Sequence, residues 1–283
     1  MYSLSFPGIE EFSITAEPGQ VSFLEIMAGY FGLKARSTGY PGKIIIKPLG
    51  TREEIISAES SGFFYTEYGS IALKCPERTI EVGVPENFAG SPETISGIIK
   101  LIIVGISSYI LHKGCVLMHT ATLIHSGEAV LVVASSGGGK STTAGRVPEH
   151  WSAPGDENCL IVPAKSGGYR IHVLPTVSKI AKGEKNIYWD SLVSYHLKGI
   201  CILKQADNDA IERISQPKAS MCIHDSFRQA TNPYIYMFDA NFRRNISEIA
   251  FDNSCRIAKE VPVYLLNATL SGRFWEVIED KMF

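Results

Sequence analysis

Residues 129–142 read Ala-Val-Leu-Val-Val-Ala-Ser-Ser-Gly-Gly-Gly-Lys-Ser-Thr. An apolar, β-branched run predicts a buried strand, and it feeds directly into three consecutive glycines and a Lys-Ser-Thr triplet. Strand, tight loop and helix start in that order commit the segment to an α/β arrangement. The glycines let backbone N–H groups turn toward an anion with no Cβ in the way. A helix opening near Lys140 adds its partial positive end. Apart from Ala134, which stands in place of the usual first glycine, the run fits the phosphate-binding pattern. Ser135, Ser136, Gly137, Gly138, Gly139, Lys140, Ser141 and Thr142 are then the nucleotide-holding residues. Lys140 reaches the β- and γ-phosphates, and the Ser141 hydroxyl binds Mg²⁺. A plain glycine-rich turn is the alternative, but it does not require Lys-Ser-Thr to follow.

Bulk properties narrow the setting. The chain has 283 residues, enough for one large domain or a medium and a small one. With 45% hydrophobic residues it can build a substantial core. A net charge of −2 gives no reason to expect a nucleic acid or an anionic membrane as partner. Six cysteines are scattered with no C-x-x-C pair, which favours buried reduced thiols over disulfides or zinc. No export signal opens the sequence, so a cytoplasmic location is expected. Residues 95–111 are apolar enough to suggest a membrane span. They are short for one, include Lys100, and follow Ser91-Pro92-Glu93, a helix-start signature, so they read as a buried core helix.

The chain before this helix looks β-rich. Ile44–Ile46, Phe63–Tyr68, Ser70–Lys74 and the alternating Ile80, Val82 and Val84 read as strands, and Val21–Leu33 as a short helix. A small α+β domain is expected over residues 1–90, bounded by Pro85-Glu86-Asn87 and Gly90-Ser91-Pro92. A nucleotide-binding domain follows over 91–283. Cys115–His125 reads as one apolar run that turns at Ser126-Gly127-Glu128 into the strand 129–133. A hairpin centred there places His119 opposite Ser135, as a phosphate contact or the partner of a carboxylate. His125, near the turn, reads as simply exposed.

Fifteen residues beyond Ser141 comes Asp156-Glu157, just before the strand Cys159–Val162. One carboxylate can bind Mg²⁺ while the other takes a proton from an attacking hydroxyl; an acidic turn is the alternative. Further strands are expected at Tyr169–Leu174, Lys198–Lys204 and Ile211–Ile214. Tyr234–Asp239 imitates a strand-plus-aspartate Mg²⁺ site but reads as a decoy, because the acidic pair already fills that role. Arg243-Arg244 reads as solvated charge. The guanine-reading Asn-Lys-x-Asp motif is absent.

From about Leu111 to Leu174 the chain resembles the catalytic domain of the HPr kinase/phosphorylase family, which shares a P-loop core with phosphoenolpyruvate carboxykinase. The resemblance rests on Met118-His119, the 126–128 turn, Ser136–Thr142 and Asp156-Glu157. It implies an α/β HPr kinase/carboxykinase-like core. Asp156 is then the base, Glu157 or Ser141 holds Mg²⁺, and His119 lies near the transferring phosphoryl group. The family's pair is Asp-Asp, so Glu157 is a departure. The downstream glycine/arginine signature of the bifunctional enzymes is missing, which argues against phosphorylase activity and against HPr as substrate. Tyr264-Leu265-Leu266, Ser271–Glu276 and His172–Thr176 are more narrowly similar to the HPr-kinase-like protein of the SynChlorMet peptide-modification cassettes.

Together these readings predict ATP- and Mg²⁺-dependent transfer of a phosphoryl group to a Ser or Thr hydroxyl of a peptide or small protein, such as a ribosomal peptide precursor. A plain ATPase or GTPase and a nucleotide-sensing peptide scaffold remain the alternatives. A monomer and a family-like homo-oligomer are both compatible with the sequence.

Overall fold

The computed structural model describes residues 1–7, 9–37, 39–51, 62–66, 69–74, 77–85, 91–184, 190–232 and 234–283. Cys75, Tyr68 and the Glu86-Asn87 and Gly90 portions of the expected domain breaker lie outside them. Two compact units form, and neither is a single stretch of chain. One comprises Met1–Lys113, Pro175–Leu192 and Thr231–Ser247; the other comprises Gly114–Leu174, Val193–Ala230 and Glu248–Phe283. Each is built on a mixed sheet.

In the first unit the strands are β1 (Tyr2–Phe6), β2 (Glu10–Ala16), β3 (Lys34–Ala35), β4 (Gly42–Pro48), β5 (Gly62–Thr66), β6 (Gly69–Lys74) and β7 (Thr79–Val84). They lie in the order β3-β1-β2-β4-β7-β6-β5. The β2–β4 and β4–β7 pairs are parallel. The helix Val21–Tyr30 lies in the β2-to-β4 connection, as a parallel crossover needs. The helix Pro92–Ile110, which heads the C-terminal domain in the sequence reading, packs on β6 and β7 and belongs to this unit.

That helix starts as its sequence dictates. Ser91 Oγ accepts the Thr94 N–H at 3.2 Å, Pro92 occupies the first turn and Glu93 follows. It is long and apolar enough to cross a membrane, and 78% of its apolar window is buried inside the protein. Two of its glycines differ in surroundings. A Cβ on Gly105 would lie 2.3 Å from Ile71 Cδ1, while one on Gly97 would meet nothing within 4 Å. Alanine gains up to about 1 kcal/mol over glycine in a helix, whereas overpacking a filled core costs about 1–3 kcal/mol. We therefore expect Gly97→Ala to raise the urea midpoint and Gly105→Ala to lower it. Equal shifts would contradict the close approach at Gly105.

The second unit holds β8 (Val116–His119), β9 (Ala121–His125), β10 (Glu128–Val133), β11 (Trp151–Gly155), β12 (Asn158–Pro163), β13 (Tyr169–Val173), β14 (Tyr195–Gln205), β15 (Ala210–Arg213) and β16 (Val263–Ala268). The order is β11-β9-β10-β14-β13-β12-β8, with β16 joining β14 and β15 joining β16. Strand β8 runs straight into β9, and β11 leads into β12, so short connections join strands from opposite parts of this order. Strand β14 pairs in parallel with both β10 and β16. Leu123, Val130, Val132, Cys201, Leu266 and Phe274 fill the core beneath them.

The hairpin around Gly127 forms one position away from the expected register, with Val132 opposite Ala121. The apolar run 115–125 is not one strand. It divides at Thr120, and β8 turns to pair with β12, so His119 faces Asn158 and not Ser135. Tyr234–Met237 is a 3₁₀ turn, and Asp239 Oδ1 accepts the N–H groups of Asn241 and Phe242 at 3.0 Å as the cap of the helix Ala240–Glu260. The aspartate is a helix cap, in line with the decoy reading. Arg243 Nη1 donates to the Tyr236 carbonyl at 3.2 Å. Among the described residues five cysteines are free thiols; Cys115, Cys159 and Cys201 are buried and Cys222 and Cys255 half-buried.

Candidate functional site

The loop after β10 owes its shape to its glycines, each for its own reason. Gly137 and Gly139 take φ of 73° and 97°, in the left-handed region. Gly138 is constrained by space: a Cβ there would lie 2.8 Å from Ala134 Cβ and 2.9 Å from the Ser135 carbonyl oxygen. Its N–H donates to that same carbonyl at 2.9 Å. Gly139 then starts the short helix Lys140–Ala144. Ser135, Ser136, Ser141 and Thr142 are exposed along the loop.

Lys140 is only 6% exposed. Its Nζ donates to the Ala134 carbonyl at 2.8 Å and the Ser135 carbonyl at 3.3 Å. An ammonium has three donors, so one is left for a ligand. Burial pushes the Lys140 pKa below the ordinary lysine value, and the negative charge of Asp156 partly offsets this. The charge of Asp156 thus acts on the loop lysine.

Asp156 and Glu157 are half-buried in the turn between β11 and β12. Two pairings fix that turn, β11 on β9 and β12 on β8. Between them the Thr120 N–H donates to the Glu157 carbonyl at 3.0 Å. Thr120 is fully buried, and its Oγ1 lies 2.9 Å from the carbonyls of both Ala121 and Val132. One threonine thus ties His119, the end of β10 before the loop, and the acidic turn together. His119 lies beside this junction, and its carbonyl accepts from Ser226 Oγ at 3.0 Å.

Sequence reasoning missed three contributors. Thr120 is hidden in an apolar run, and only its polarity there is a clue. Gln205 ends β14, and its Nε2 is 3.7 Å from where a Gly139 Cβ would be. Arg146 Nη1 donates to the Thr269 carbonyl at 2.7 Å, and its Nη2 bonds the Gly272 carbonyl. That pins the loop after β16 beside the helix that follows the glycines. Loop, Gln205 and the Thr269–Gly272 turn all lie at the carboxyl edge of the parallel strands β10, β14 and β16, where open α/β sheets bind ligands.

The model of the SynChlorMet cassette protein ScmC matches residues 91–283. The chain belongs to the ScmC family. The match includes the glycine loop, His119, Thr120, Asp156, Glu157 and Gln205, and it leaves the sheet of the first unit outside. No curated protein matches the chain.

The crowding at Gly138 gives a local test. Gly138→Ala must displace either Ala134 or the Ser135 carbonyl, and with them the amides that would face phosphate. Losing one charge-assisted hydrogen bond costs about 1.5–3 kcal/mol, so nucleotide affinity should fall roughly tenfold or more by calorimetry, with the fold intact. Unchanged affinity would argue that phosphate does not lie against this loop.

Proposed function

We propose that this ScmC-family chain is a kinase with an HPr kinase/carboxykinase-like P-loop core, transferring the γ-phosphoryl group of ATP to a Ser or Thr hydroxyl of a peptide. What supports this reading is a buried lysine in a glycine loop at the carboxyl edge of the parallel strands, with the Asp156-Glu157 turn tied through Thr120 to the end of the strand that leads into that loop. A phosphate-binding cation and a carboxylate within each other's field are what in-line transfer to a hydroxyl requires. The residues fit the cofactors. Three glycines expose the loop backbone, Lys140 has a donor to spare, and the Ser141 hydroxyl and Glu157 carboxylate can hold Mg²⁺, which supplies charge neutralisation at the β- and γ-phosphates.

Asp156 is then the base that takes the hydroxyl proton, and His119 supports the phosphoryl group or the carboxylate from the end of β8. A peptide acceptor accords with the cassette to which the family's name refers. The test is incubation of the purified chain with Mg-ATP and the precursor peptide of its own cassette, read by mass spectrometry. A phosphorylated Ser or Thr is expected. ADP formation without labelled peptide would favour an ATPase, and nucleotide binding without ADP would favour a sensing scaffold. A phosphohistidine or aspartyl-phosphate on the enzyme would exclude direct transfer.

A further inference from the structure

His125 reads from sequence as an exposed residue beside a turn, but the fold surrounds it with other donors. Trp151 pairs with it across β9 and β11, and the imidazole stacks on the indole at 4.7 Å and 24°. His150 precedes Trp151, and its ring meets His125 edge-on at 5.5 Å. Glu279, from the helix Phe274–Met282, reaches the same place. Its Oε1 accepts from His150 Nε2 at 2.8 Å and from Trp151 Nε1 at 2.6 Å. The ligand atoms of His125, His150 and Glu279 all lie within 4.8 Å of one another.

Two imidazoles and one carboxylate form a donor set that zinc takes with a fourth position left open. Imidazole-rich sites select zinc and its neighbours over Mg²⁺, which prefers oxygen. The supporting bonds are also present. His125 Nδ1 is 3.3 Å from the His150 carbonyl, which can only accept. When Nδ1 holds the proton and donates it in this bond, Nε2 is left as the donor to a metal. Metal-bound imidazoles are held in this way by a carbonyl on the other nitrogen. The Trp151 indole N–H fixes the carboxylate. Phe283 adds an apolar wall, its ring 4.8 Å from His125.

We propose that His125, His150 and Glu279 bind a zinc-class divalent transition metal. His150 Nε2 now donates its proton to Glu279, and it must give that proton to solvent or to its own Nδ1 before it can ligate. The site is not the nucleotide's Mg²⁺ site. His125 pairs with Glu128 at the start of β10, and the glycine loop follows its other end, roughly 17 Å along the strand.

The experiment uses the full-length chain, stripped with EDTA and exchanged into chelator-free buffer. Zinc chloride alone is titrated by calorimetry, and Co²⁺ is added separately to read ligand-field absorption. We expect one ion per chain, a visible Co²⁺ band of four-coordinate type, and loss of roughly tenfold or more in affinity in each of His125→Gln, His150→Gln and Glu279→Gln. His150 is the most exposed of the three, with its side chain 54% accessible, so His150→Gln is the variant least able to disturb folding. Zinc bound equally tightly by His150→Gln would assign it to the thiols or another surface and overturn the proposal. So would the absence of zinc binding to the unaltered chain at micromolar concentrations.

Discussion

Asp156→Asn should lower phosphoryl transfer by about 10²–10⁴-fold, the range that a positioned general base contributes. Asparagine keeps the shape of the half-buried turn and can still accept a hydrogen bond, so the β11–β12 connection should survive. What disappears is the proposed proton acceptor and the negative charge that acts on Lys140. The effect should fall on kcat, while metal-free ATP affinity at neutral pH, where Lys140 keeps its proton in either form, should change little. Glu157→Gln is the paired control. Its backbone carbonyl, not its side chain, makes the bond to Thr120, so the substitution leaves that junction in place. If Glu157→Gln abolishes transfer while Asp156→Asn stays near full activity, the two roles are exchanged. If neither variant is impaired, the acidic turn is only a turn.

What could be read from the sequence was local. The strand–glycine–lysine order, the Ser91-Pro92 helix start and the 126–128 hairpin each encode their geometry within a few residues, and the structure shows all three. The break at Thr120 was not legible, because a threonine between apolar residues reads as strand interior. Its role depends on carbonyls at positions 132 and 157, which come from other strands. The helix Ala240–Glu260 was missed for a related reason. Its buried stripe passes through Asn253 and Ser254, and these are satisfied by bonds to the Cys115 and Ala250 carbonyls at 3.2 and 2.7 Å. A polar residue in a buried stripe blurs the hydrophobic period while leaving the helix intact. The grouping of His125, His150 and Glu279 likewise arises only once β9, β11 and the last helix have met.

Lys140→Ala should weaken ATP binding by roughly 10–150-fold, the equivalent of losing about 1.5–3 kcal/mol of charge-assisted hydrogen bonding. The residue is buried against the carbonyls of its own loop, so the ammonium is held in place before any nucleotide arrives. Its lowered pKa adds a pH signature. The proposed role needs the cation to meet phosphate, and burial makes its proton easier to lose than that of an exposed lysine. Affinity should therefore decline with rising pH sooner than an unperturbed lysine would dictate, and Lys140→Arg should flatten that decline because guanidinium does not deprotonate. Asp156 partly holds the proton on Lys140, so Asp156→Asn should move the alkaline decline to still lower pH. Calorimetric titration of metal-free ATP across the alkaline range tests both statements. A decline unmoved by Asp156→Asn would break the electrostatic link between the loop lysine and the acidic turn, and with it the case for Asp156 as the base beside the phosphates.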